Sequence, residues 1–104
     1  MSYWPQLIYL DAKHPAEVVD YPLDFAGWLV GAETLTGTPS VTVDAGITLT
    51  PAGKAAPAIL GSRVVFWLGG GTHAQTYRVQ VAVSTSGGRE LVVDASLQVV
   101  DPTP

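Results

Sequence analysis

No cysteine occurs in this 104-residue chain. That excludes a disulfide framework and a thiolate metal site, and nothing ties folding to an oxidising compartment. Positive charge is scarce as well: five Lys and Arg against nine Asp and Glu leave a net charge of −4. Nucleic-acid binders cluster basic residues on one face, so DNA and RNA are poor partners. Charged residues of both signs make up only 13% of the chain, against about 25% in typical globular domains. A small domain with so little charge has either an exterior suited to packing against neighbours or a surface rich in Thr and Ser. No apolar run approaches the ~18 residues of a membrane helix, and the opening stretch, residues 1–15, lacks the basic start and unbroken apolar core of a secretory signal. A protein outside the membrane is expected. Its length suits one domain that buries roughly 65% of its unfolded surface.

What is present is a period of two. In "TYRVQVAV", Tyr77, Val79, Val81 and Val83 point one way while Arg78, Gln80 and Ala82 point the other. "STSGG" then turns the chain into "RELVVDASLQVV", where Leu91, Val93, Ala95, Leu97 and Val99 alternate with mostly polar neighbours, so the two runs predict a hairpin. "SVTVDAGITLT" reads as a second hairpin or as one strand with a bulge at Gly46. "SRVVFWL" is a short apolar run between glycines and predicts a strand buried on both faces. Helical signals are confined to "HPAEVVDY" and "DFAGWLVGA", each long enough for a turn or two. Eight prolines and eleven glycines punctuate the runs at roughly 8–12-residue intervals, the pattern of an all-β sandwich of immunoglobulin-like or fibronectin-III-like type with about seven strands.

Gly69-Gly70-Gly71 raises the question of a phosphate loop, which needs converging N–H groups at a helix start and usually a lysine. Here a strand follows and no lysine is near, so the loop is a connection. Tyr77, early in the penultimate strand, suits the corner position whose hydroxyl secures the chain in such sandwiches. No catalytic constellation emerges. His14 and His73 stand apart as solvated loop residues, without the company a metal needs. Ser84, His73 and Asp94 could be assembled into a triad, but nothing resembles a nucleophile elbow. Asp20 and Asp24 could suggest a carboxylate pair, for which capping or turn hydrogen bonds are the simpler use. The expectation is no enzyme, with no cofactor, metal or catalytic residue.

Two stretches carry a wider pattern. "AKHPAEVVDYPLDFAGWL" and "VVFWLGGGTHAQTYRVQVAVSTSGGRE" resemble the fiber-tail adaptor proteins of tailed bacteriophages. That family has a Lys-Asp-Pro segment leading to D-Y-x-x-D-[WF]-x-x-W-L, and later V-W-L-x-G-G-T-x-x-x-x-Y-x-V with a hairpin ending in glycine-arginine. Matching positions include Lys13, Pro15, Glu17, Asp20, Tyr21, Asp24, Phe25, Trp28, Trp67, Leu68, Gly70, Gly71, Thr72, Tyr77 and Arg89. His14 departs from the family's acidic residue, and the stretch between Gly31 and Gly61 is longer and more punctuated than the pattern. The resemblance implies an Ig-like structural protein of the virion. It would join tail, neck or fibre components without catalysis, as a homo-oligomeric ring or trimer, and would be made in the bacterial host cytoplasm.

Assembly requires a sticky region. "SYWPQLIYL" concentrates Tyr3, Trp4, Leu7, Ile8, Tyr9 and Leu10, and Pro5 favours extended chain. Residues 1–14 are thus either an arm that docks on a neighbouring subunit or the first edge strand of a sandwich spanning 15–101, with 102–104 a tail. Trp28 and Trp67 are expected as core pieces with their indole N–H groups bonded to backbone. The alternative function, a carbohydrate-binding accessory module, would need two or three coplanar exposed aromatics.

Overall fold

The computed structural model describes residues 7–101. The longest alternating runs become the two longest neighbouring strands, β7 (Gln75–Thr85) and β8 (Glu90–Val99), paired antiparallel over ten positions. Their inward sets, Tyr77 to Val83 and Leu91 to Val99, are buried while the intervening residues face out. β3 (Leu35–Val43) pairs with the other side of β7, and β1 (Leu7–Tyr9) runs parallel beside β8, giving a front sheet ordered β1-β8-β7-β3. The back sheet is centred on β6 (Arg63–Gly70). On one side of it lies β2 (Val19–Asp24), and on the other lie the short β4 (Ile47–Leu49) and β5 (Ala58–Leu60). Among the described residues there are thus eight strands and a single 3-10 turn, Ala26–Trp28.

The core is the slab between the sheets. From the back sheet, Tyr21 and Leu23 of β2 and Val64, Phe66 and Leu68 of β6 meet the valines and leucines of β7 and β8. Phe25, Val64, Phe66 and Leu68 are all fully buried. Each such side chain contributes roughly 1.5–3 kcal/mol relative to exposure, so the alternation in β6, β7 and β8 supplies most of the driving force. The architecture is an all-β sandwich of the immunoglobulin-like kind.

Several local expectations are corrected. β3 and β4 are neither a hairpin nor one bulged strand, because they belong to different sheets. Asp44-Ala45-Gly46 carries the chain across the sandwich: Asp44 is tied to β7 through Arg78, while Gly46, at φ 104°, leaves room for the Tyr77 ring. A β-carbon at Gly46 would stand 2.9 Å from that ring. The bulge lies earlier, where the β3–β7 register shifts between Thr36 and Ser40. β6 is buried on one face only, since Val65 and Trp67 point outward and are half-buried. Trp67 is therefore not a core residue. The first half of "HPAEVVDY" does turn, with the Glu17 N–H bonded to the His14 carbonyl at 3.0 Å, but the chain then enters β2 at Val19; "DFAGWL" holds its turn as Ala26–Trp28.

Candidate assembly surface

The polar residues of the motif form two internal braces, one at each end of the sandwich. At the first, Lys13 is 1% exposed. Its backbone joins the front sheet through Gln98 and Val100, and its ammonium donates to the carbonyls of His14 (2.6 Å), Gly70 (2.7 Å) and Pro15 (3.5 Å). Burial holds its pKa below the ordinary lysine value, opposed by the nearby Glu17 carboxylate. One side chain thereby ties front sheet to back sheet. Tyr21 does the same in the other direction, its hydroxyl donating to the Asp11 carbonyl at 3.0 Å. Burial, with Glu17 and Asp11 near by, pushes its pKa up to about 12.

The glycine run serves the same end. Gly71 sits at φ 96°, and a β-carbon there would come within 2.6 Å of Val99. Gly70 also has positive φ, 76°, and its carbonyl is an acceptor for Lys13. The Tyr77 hydroxyl accepts the Thr72 N–H at 2.9 Å, a tyrosine corner reaching five residues back along the chain. The loop turns the chain into β7 and starts no helix.

At the opposite end, Arg89 of the β7–β8 turn donates to Glu33 through Nε (3.1 Å) and Nη2, and Nη2 also reaches the Trp28 carbonyl at 2.6 Å. The Thr85 hydroxyl donates to the same carboxylate. These hydrogen bonds, the Arg89 one foremost, hold the Glu33 carboxyl at about 2. Gly87 is required here, because a β-carbon would stand 2.6 Å from Glu33 Oε2. Asp24 accepts from the Ala26 N–H (2.9 Å) and the Ser62 hydroxyl (2.8 Å), which lowers its pKa and ties the entry of the 3-10 turn to the end of β2. That turn sets the Trp28 ring edge-on to the buried Phe25, centroids 5.4 Å apart. Sequence reasoning misses Glu33, whose partner lies 56 residues away; a lone acid in the otherwise uncharged segment 25–43 is the one signal it offers.

The arrangements weighed for catalysis are not brought together. Asp20 and Asp24 lie four residues apart on one face of β2, roughly 13 Å in an extended strand, beyond the spacing of a glycosidase pair. Ser84 lies near the end of β7 and His73 just ahead of its start, roughly 35 Å apart along the strand. The histidines are less solitary than expected. His14 Nε2 lies 3.4 Å from an Asp101 carboxylate oxygen, and His73 Nδ1 accepts the Asp101 N–H at 2.8 Å. Both end up clasping one residue. Among the described residues no group of three or more His, Asp or Glu could hold a metal ion, and no helix is long and apolar enough to cross a membrane.

The N-terminal segment divides. Tyr3 and Trp4 lie outside the described residues, and Leu7 is described only as the start of β1. Ile8 and Leu10 pack partly buried against the chain's own core, whereas Tyr9 is 77% exposed. Among the described residues the aromatics needed for a sugar platform do not gather: Tyr9 is on the front sheet, Trp67 on the outer face of the back sheet, and Trp28 lies against Phe25.

The outer faces of the two sheets differ in chemistry. On the front sheet, cross-strand rows read Thr42–Gln80–Asp94 and Ser40–Ala82–Val92, small or polar but for the exposed Val92, with the Gln80 amide donating to Asp94 at 3.0 Å. On the back sheet, one row reads Pro22–Val65–Ala58 and the next Asp24–Arg63–Leu60. Asp20 is paired with Trp67, and the chain after β4 passes on Trp67's far side, with Thr50 N–H bonded to the Trp67 carbonyl. From there Lys54 places its ammonium 4.8 Å from the Trp67 ring centroid. Val18 and Pro51 close over Gly69 beyond it. Here the outward apolar residues adjoin, with Trp67, Val65, Pro22 and the exposed Leu60 on neighbouring positions, whereas exposed Tyr9 and Val92 of the front sheet stand among small and polar side chains.

A protein-family model described as podophage GP4 fiber-tail adaptor protein gp77 matches residues 13–98. No curated protein matches the sequence. The match runs from the Lys13 brace to Gln98 in β8 and takes in every described strand but β1, so the chain belongs to the podophage GP4 fiber-tail adaptor family.

Proposed function

We propose that this protein is a non-catalytic structural part of a podophage virion, joining tail or neck components to one another or to the fibres. The supporting observation is where its polar motif residues are used. Lys13, Tyr21, Asp24 and Arg89 are engaged in holding the two sheets and their turns together, so they make a rigid body whose exterior is left for binding. Rigid preformed surfaces lose little entropy on docking, which suits a connector loaded by other parts of the particle. The partners are tail and fibre proteins. In this reading the chain is made in the host cytoplasm, takes no cofactor, binds neither nucleic acid nor membrane, and assembles as a homo-oligomer, a ring or trimer. In the same reading the N-terminal segment, to which Tyr3 and Trp4 belong in sequence and whose Tyr9 is exposed, adds contact to a neighbouring subunit.

A nonsense mutation in the gene tests this reading. Particles grown without the protein should lack fibres and fail to adsorb, and chain supplied from a plasmid should restore both. Fibre-bearing, infectious particles without it would refute the proposal.

A further inference from the structure

The apolar outer face of the back sheet carries an acid and a base on opposite sides of one aromatic. Asp20 stands on the β2 side of Trp67, and Lys54 arrives from the β4–β5 side. We propose that this face binds a second copy of the same chain, with Asp20 of one copy meeting Lys54 of the other across the strip of Trp67, Val65 and Leu60. The inference rests on the adaptor reading; a self-complementary contact of this kind closes as a two-fold pair, so it joins copies two by two and is separate from the contacts that would build a ring or trimer.

The argument is one of complementarity. An apolar strip alone accepts any apolar partner, but opposed charges flanking the strip make the surface complementary to itself once a second copy is turned about. Like charges brought together across an interface are strongly disfavoured, so the pair also fixes orientation. Asp24 does not compete for this role, because Ala26 and Ser62 occupy its carboxylate and Arg63 lies opposite it in register. Strand addition at this sheet's β2 edge is hindered by Pro22, which has no N–H to donate. The contact is therefore made by side chains on the face. Trp67 supplies a partly buried aromatic anchor, the residue type that dominates such interfaces.

Sedimentation velocity on the purified full chain tests the proposal, using Asp20→Lys and Lys54→Asp as single variants. Both sites are exposed, so each variant should keep the wild-type circular dichroism and melting temperature. Wild type should self-associate at about 100 μM, and each single variant should associate at least roughly ten-fold more weakly. An equimolar mixture of the two should regain the wild-type mass, since the base introduced by Asp20→Lys in one chain then meets the acid introduced by Lys54→Asp in the other. Leu60→Glu should weaken association without loss of fold. A monomeric wild type, single variants that associate as well as wild type, or a mixture that stays dissociated would each overturn the proposal. A monomeric chain that still restores fibres to mutant particles would leave the adaptor reading standing and remove only this contact.

Discussion

An ammonium removed from water must find other acceptors, and at Lys13 these are backbone carbonyls on both sides of the sandwich. Lys13→Met keeps the apolar stem but leaves the Gly70 and His14 carbonyls without this donor. Each unsatisfied buried acceptor costs about 1–3 kcal/mol, so a loss of roughly 3 kcal/mol is expected in urea unfolding monitored by tryptophan fluorescence. Glu33 gives a test by pH. Its folded pKa of about 2 lies below the ordinary 4.5, so its contribution to stability is complete above pH 4.5 and is lost as pH falls towards 2. The melting temperature should fall over that interval, and Glu33→Gln should be less stable at neutral pH and lose most of that fall. The opposite sign holds at Tyr21, whose folded pKa of about 12 is raised from 10. The unfolded chain ionises first, so stability declines as pH rises from 10 to 12, and Tyr21→Phe should flatten that decline.

Among the elements, β6, β7 and β8 are each paired on both sides, while the chain over residues 50–57 lies outside any strand. Hydrogen exchange should follow this order. Amides of Val79, Val81, Val93 and Ala95 should exchange only through global unfolding, whereas those between Ala52 and Ala56 should exchange within the first time points. Early exchange in the β7–β8 hairpin would contradict the packing described. The same elements show what the sequence could disclose. Strict alternation in β7 and β8 is readable because each side chain's face follows from its parity. At β6 the apolar run conceals a one-sided strand: Val65 and Trp67 are apolar although they face outward, and composition does not record direction. The Asp44-Ala45-Gly46 segment carries turn chemistry common to hairpins and sheet-to-sheet crossings. Only its bonds to Arg78, 34 residues away, distinguish the two.

For the whole molecule, the fold class is legible while the braces are not. Glu33 and Arg89 meet only once β3 has paired with β7, and Lys13 and Gly70 only after the sheets have closed; nothing in their spacing marks them as partners. The difference between the two outer faces is likewise hidden, since it depends on which strand neighbours which. Once both are known, a pattern of scattered polar and glycine positions becomes intelligible as the means of fixing one rigid body. The adaptor role requires that body to occupy a defined place in the particle. The most direct measurement is a cryo-electron reconstruction of the tail from purified virions. The account predicts density for this two-sheet sandwich between tail and fibre, in a rotationally repeated set of copies. A particle with no such density, and with the chain undetectable by mass spectrometry, would contradict it.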